Sequence, residues 1–245
     1  MSPTDSLRSL QAEQEKHSSL EQCPFCETDA HQGETKLFHI YHELKAHLPF
    51  TISAVIIAFG IVWLMDQWGK LTHLQSAFHI LFPTHLFLST TTTTAMFWRH
   101  DKKLAKALLI GCTIPLVSCS ASDIFMPYLG GVILGQSMTL HICLIEEPGL
   151  VYPFVALGII CGMVAVNYLR NTTFFSHGAH IMVSSLAALL YLLSFGLVNW
   201  IPLLGGLLII ILISVLIPCC SSDIVFPLLF IHPKSRDSNH ENTKL

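Results

Sequence analysis

The chain has 245 residues, 52% of them hydrophobic and only 12% charged, with a formal net charge of −3 and a mean hydropathy of +0.58. An ordinary soluble domain carries roughly a quarter charged residues, so this balance excludes a water-soluble globule, and 13 Lys and Arg against 16 Asp and Glu leave no basic surface for nucleic acid. The 14 His outnumber Lys and Arg combined, and any functional reading has to place them.

Residues 1–47 are polar and rich in Cys and His. The first 20, dominated by Ser, Gln and Glu, lack the apolar content to fold alone. Cys23-Pro-Phe-Cys26 is a Cys-x-x-Cys, followed by His31 and then by His39, His42 and His47. If the stretch before the first apolar block is helical, His39, Glu43 and His47 fall at i, i+4 and i+8 on one face, with His42 beside them. Two thiolates and two imidazoles make a tetrahedral zinc site, and a reducing cytoplasm leaves the thiols free to form it. A segment that only tethers the chain is the alternative.

Six apolar blocks follow, at 48–65, 78–98, 104–135, 150–169, 181–200 and 201–231. A helix needs about 20 residues to cross the hydrocarbon, which four of the blocks match. The third and sixth are too long for one straight span and hold proline pairs, Pro115 with Pro127 and Pro218 with Pro227, so both are expected to be broken helices. With the N-terminus inside, 12 of the 13 Lys and Arg lie on cytoplasmic segments and only Lys70 lies outside. The positive-inside rule then puts both termini in the cytoplasm of a cell whose inner membrane holds the chain.

The two long blocks repeat each other. Cys119-Ser-Ala-Ser122-Asp123-Ile124-Phe-Met-Pro127-Tyr-Leu129 matches Cys219-Cys-Ser-Ser222-Asp223-Ile224-Val-Phe-Pro227-Leu-Leu229 at six of eleven positions. Pro49-Phe50 corresponds to Pro153-Phe154, and His85 with Ser89 corresponds to His180 with Ser184. Each half is therefore three helices, and an odd number makes the second copy enter from the opposite face. The expected fold is all-α and transmembrane, with six spans as two inverted-topology three-helix repeats: a cytoplasmic segment 1–47, repeats 48–135 and 150–231, an outer loop 136–149 and a cytoplasmic tail 232–245.

A carboxylate facing lipid is costly, so Asp123 and Asp223 either face a polar interior or cap the half-helices at the breaks, two roles that are compatible. With His85 and His180 they form a symmetry-related set, and Ser122, Ser222, Cys119 and Cys219 lie beside them in sequence. Imidazole, carboxylate and thiolate are ligands of zinc and its first-row neighbours. His79 and His177 flank the same helices near their entrances. The hydroxyl run Ser89 to Thr94 is expected to bond back to its own helix or across to a neighbour. In the outer loop, His141, Cys143, Glu146 and Glu147 come without a positive charge, and His141, Glu146 and Glu147 make an acidic mouth that concentrates cations.

The segment Ile217-Pro-Cys-Cys-Ser-Ser-Asp-Ile-Val-Phe-Pro227 resembles one found in bacterial multi-pass membrane proteins, from which no activity carries over. Pro218-Cys219-Cys220-Ser221-Ser222 is also similar to the Pro-x-Cys-x-x-Ser break in the membrane helices of heavy-metal permeases. The first copy departs from that break, because Pro115 precedes Cys119 by four residues, and the chain has fewer helices than that family. The likeness implies transport of a metal cation. On the residues themselves the expected function is a permease for a divalent transition metal, zinc or manganese with zinc foremost, with membrane lipid and the ion as its partners and proton coupling through His and Asp. The alternatives are an intramembrane metal-dependent hydrolase acting on a lipid-linked substrate and a membrane-anchored metal sensor or scaffold built on the cytoplasmic Cys/His segment.

Overall fold

A computed structural model describes residues 36–68, 73–100, 102–164 and 173–220. The chain divides into Met1–His42 and Glu43–Leu245, and of the first unit only the helical backbone of 36–42 is described. No strand occurs among the described residues. The helices are α1 (Lys36–Gln67), α2 (Leu74–His100), α3 (Leu104–Ser120), α4 (Met126–Ile133), α5 (Cys143–Glu146), α6 (Pro148–Val164), α7 (Thr173–Ser194) and α8 (Leu204–Cys220).

Three stretches are long and apolar enough to cross a membrane: Leu48–Gln67 of α1, Leu104–Ile133 across α3 and α4, and Ile201–Pro218 leading into and along α8. Their exposed side chains are as apolar as their buried ones. On α1, Ala54, Val55, Ala58 and Val62 are buried, yet Ile56, Ile57, Ile61 and Leu64 on the other side are exposed and equally apolar. Leu109, Val117 and Ile133, Ile160 and Val164, and Ile209 and Ile213 continue that exposed surface around the bundle. A helix apolar on all sides belongs inside a bilayer, because water tolerates no such continuous patch.

α2 differs because it is the central helix. It packs against α6, α7 and α3, and its buried residues, Phe78, Phe82, His85, Leu86, Ser89, Thr90, Thr93, Thr94 and Phe97, recur at three- and four-residue spacing on one stripe. Polar groups on that stripe make α2 less apolar than the outer helices. The hydroxyl run divides by direction: Thr91 and Thr92 donate to the Phe87 and Leu88 carbonyls, whereas Ser89, Thr90, Thr93 and Thr94 face the interior and find no partner among the described residues.

The expected break in the third block takes a milder form than an unwound segment. The chain stays helical from Leu104 to Ile133, interrupted by one π-helical turn, Ala121–Phe125. Pro127 has no N–H to give the Asp123 carbonyl four residues back. Widening the turn instead lets the Met126 N–H reach the Ala121 carbonyl. In the second copy a 3-10 turn (Ile201–Leu203) precedes α8, which holds Pro218. Ser222, Asp223 and Pro227 lie outside the described residues, so the match between the two breaks is not visible. Cys23, Cys26 and His31 also lie outside them. His39, His42 and His47 fall on α1, which supplies the helical register expected for them, but their side chains are not among those described.

The segment between α4 and α5 is pinned to the end of α7. The Thr139 N–H donates to the Phe195 carbonyl at 2.7 Å, and Gly196, at φ +151°, approaches so closely that a Cβ would sit 2.5 Å from the Ser137 carbonyl oxygen. Only glycine permits this junction, which holds His141 over the start of α2.

The α2 and α6 backbones touch at Gly158 and Gly162, where an added Cβ would meet the Phe87 and Thr91 carbonyl oxygens at 2.9 and 2.7 Å. Gly158→Ala and Gly162→Ala are each expected to cost about 1–3 kcal/mol through overpacking, read as lower thermal stability in detergent. Gly60→Ala, with nothing within 4 Å of its Cβ, is expected to leave stability unchanged or slightly raised.

Candidate metal centre

Four chain segments bring polar side chains into the apolar core. α2 supplies His85, the end of α3 supplies Cys119, the π turn supplies Ser122 and Asp123, and α7 supplies His180 and Ser184. All six are buried. The π turn matters here because it re-aims Ser122 and Asp123 while keeping the backbone hydrogen-bonded.

The Asp123 carboxylate is fully partnered. Its Oδ2 lies 2.5 Å from His85 Nδ1, and its Oδ1 accepts from Ser184 Oγ at 2.9 Å. Ser122 Oγ is 2.6 Å from the same Oδ1 and 3.1 Å from the Cys119 carbonyl, so its single proton serves one acceptor at a time. The carboxylate on Nδ1 orients the His85 ring and directs its other nitrogen, Nε2, away from Asp123. Nε2 faces His180 Nε2 at 2.6 Å and Cys119 Sγ at 3.8 Å. His85 Nε2 thus faces a second imidazole nitrogen and a sulfur, with a carboxylate behind its own ring.

A second cluster lies where the loop between α4 and α6 meets α2. His79 Nε2 and His141 Nε2 face each other at 3.1 Å. His79, His141 and Cys143 place their ligand atoms within 4.8 Å of one another and could hold a metal ion. The loop is locally rigid: His141 stacks on Phe195 at 4.6 Å, and its backbone N–H donates to the Tyr191 hydroxyl at 3.1 Å. Glu146 Oε2 contacts His141 Nδ1 at 2.7 Å while Oε1 accepts from the Ile142 N–H at 2.8 Å. That backbone N–H, helped by His141, holds the Glu146 carboxyl below its ordinary range. Burial, reinforced by Glu146 and Glu147, pushes the Cys143 thiol up to about 12.

Of the residues singled out in the sequence, His85, His180, Asp123, Ser122 and Cys119 meet at one place, and His141 and Glu146 meet at another. Cys219 lies at the end of α8 with its side chain outside the description. Glu147 lies beside the second cluster and acts on Cys143 through its charge. One residue gains a place that the sequence did not assign, and another, already set near a helix entrance, gains its partner. Ser184 bonds Asp123 across the bundle, for which its alignment with Ser89 was the only signal. His79 joins His141 through a contact between segments 62 residues apart, which no local pattern reveals.

Comparison with protein-family models, curated proteins and solved structures finds no match. The site's chemistry therefore stands on its geometry alone.

In the metal-free protein at pH 8, Cys143 is expected to be alkylated on the order of a thousandfold more slowly than an ordinary thiol, since a pKa near 12 against 9 removes that share of thiolate. Peptide mass spectrometry after timed quenching checks this, with rapid labelling restored on denaturation.

Proposed function

We propose that this chain is a multi-pass permease for a divalent transition metal, zinc foremost, with His85, His180 and Cys119 as its inner binding site. The observation that carries the reading is the facing pair of Nε2 atoms, with a carboxylate behind one ring and a thiol alongside, inside an apolar helical bundle. In tetrahedral zinc, bonds of about 2.0–2.3 Å separate two nitrogens by about 3.3 Å and nitrogen from sulfur by about 3.6 Å. The corresponding separations here are 2.6 and 3.8 Å, so an ion is admitted by rotating the rings through less than an ångström. The carboxylate on Nδ1 is the partner that metal-ligating histidines commonly keep, and it raises the basicity of the ring. Nitrogen and sulfur donors favour zinc over manganese.

In this reading six spans form two inverted three-helix repeats in the inner membrane, with both termini cytoplasmic. The positive-inside count and the duplicated Ser-Asp segments support it. The repeat assigns Asp223 and Ser222 the duty toward His180 that Asp123 and Ser122 have toward His85, with Cys219 matching Cys119. Histidine and thiol must lose protons to bind the ion, so metal movement is coupled to proton release. The cytoplasmic Cys23, Cys26, His31, His39, His42 and His47 receive or donate the ion, and His141, Glu146 and Glu147 mark the outer mouth.

Zinc flux into proteoliposomes tests the proposal. Asp123→Asn, which leaves the ring in place and removes its charged partner, is expected to weaken zinc binding about 10–100-fold. The double variant Asp123→Ala, Asp223→Ala is expected to abolish flux, and unchanged flux in that variant ends the proposal.

A further inference from the structure

The two clusters share one plan. In the inner one, His85 and His180 face each other through Nε2, Asp123 backs His85 at Nδ1, and Cys119 stands beside the pair. In the outer one, His79 and His141 face each other through Nε2, Glu146 backs His141 at Nδ1, and Cys143 stands beside the pair. Both draw one histidine from α2, at positions six residues apart, which is about 9 Å along a helix. The remaining donors come from different segments, His180, Asp123 and Cys119 in one and His141, Glu146 and Cys143 in the other, which the internal repeat does not pair.

We infer that His79, His141 and Cys143 form a second, separate zinc-class metal site at the bundle end that holds the start of α2. Three features point beyond an ordinary solvated loop. The 3.1 Å separation of the two Nε2 atoms is within a few tenths of an ångström of the roughly 3.3 Å that a shared zinc ion imposes. Glu146 spends both carboxylate oxygens on the loop, one on His141 Nδ1 and one on the Ile142 N–H, and this turns the His141 Nε2 toward His79. The His141 ring and its backbone are fixed by Phe195 and Tyr191 before any ion arrives, so the site is preorganised.

The role of this site rests on the permease reading: matched donor sets let an ion exchange ligands from the outer centre to the inner one without a large change in affinity. Its existence does not rest on that reading. The two are separated by measuring bound metal. The full-length chain carrying Cys23→Ser and Cys26→Ser, purified in detergent, is loaded with cobalt(II) or zinc and dialysed, and metal per chain is measured together with the cobalt thiolate charge-transfer band. Two equivalents are expected. His141→Ala and Cys143→Ser should each remove one equivalent and part of the band, His85→Ala and Cys119→Ser should each remove the other, and a variant combining His141→Ala with His85→Ala should bind none. Cys143→Ser changes one atom and preserves packing should His141→Ala fail to fold. If the His141 and Cys143 variants bind as much metal as their parent, the outer site is overturned whatever the inner variants do. If the outer variants lose one equivalent while His85→Ala and Cys119→Ser lose none, the outer site stands and the permease reading fails.

Discussion

The contact between His85 Nδ1 and the Asp123 carboxylate is the constraint around which the core is arranged. A carboxylate in this bundle has no water to solvate it, and leaving it unpaired would cost several kcal/mol. The protein meets that cost with a ring nitrogen and two serine hydroxyls, Ser122 from the same turn and Ser184 from across the bundle. Each of these partners requires a backbone position of its own. The π turn places Asp123 and Ser122, the central packing of α2 places His85, and the close α2–α7 contact places Ser184 together with His180. With Nδ1 given to the carboxylate, the Nε2 of His85 is directed toward His180 and Cys119. A structural need and a ligand geometry are met by the same atoms.

The scaffold around this contact explains how α2 can carry so many polar groups. Gly158 and Gly162 let α6 lie directly on its backbone, and α3 and α7 cover its other sides. The exposed apolar surface falls to the outer helices, whose isoleucines and leucines need no polar partners. α2 is thereby free to present His79 near one end and His85 deeper in the bundle. In the proposed permease this helix is the rail that both centres share, and the fixed outer loop holds the first of them at its end.

Much of the fold was legible because apolar block length and proline position are local signals. Three helices long and apolar enough to cross a membrane, and the interruption between Ser120 and Met126, follow from them directly. The form of that interruption was not legible: proline announces a lost hydrogen bond, and only the surrounding packing decides between an unwound segment and a π turn that keeps the ladder intact. The inner cluster was legible because duplication marked Asp123, His85 and Cys119 with their counterparts, and duplication is visible without knowing any contact. It suggested that the two carboxylates are ligands, whereas Asp123 turns out to sit behind a histidine. The outer cluster was legible only in part. His141, Cys143 and Glu146 are neighbours in sequence, but His79 reaches them through tertiary folding, and its spacing from His85 does not place the two rings on one strict helical face. Asp223, Ser222 and the Cys23–Cys26 pair lie outside the described residues, and their roles remain those that the repeat and the motif suggest.

The central claim is that the Nε2 of His85 and of His180, with Cys119 Sγ, forms a metal-binding point held open by Asp123. Zinc anomalous scattering from crystals of the full-length protein grown with the ion tests it most directly. The account predicts an anomalous peak within about 2.0–2.3 Å of all three atoms, with Asp123 on the far side of the His85 ring and outside bonding distance of the ion. A fully loaded crystal with no peak between His85 and His180, or with the ion bound by the Asp123 carboxylate and by no histidine, would contradict it.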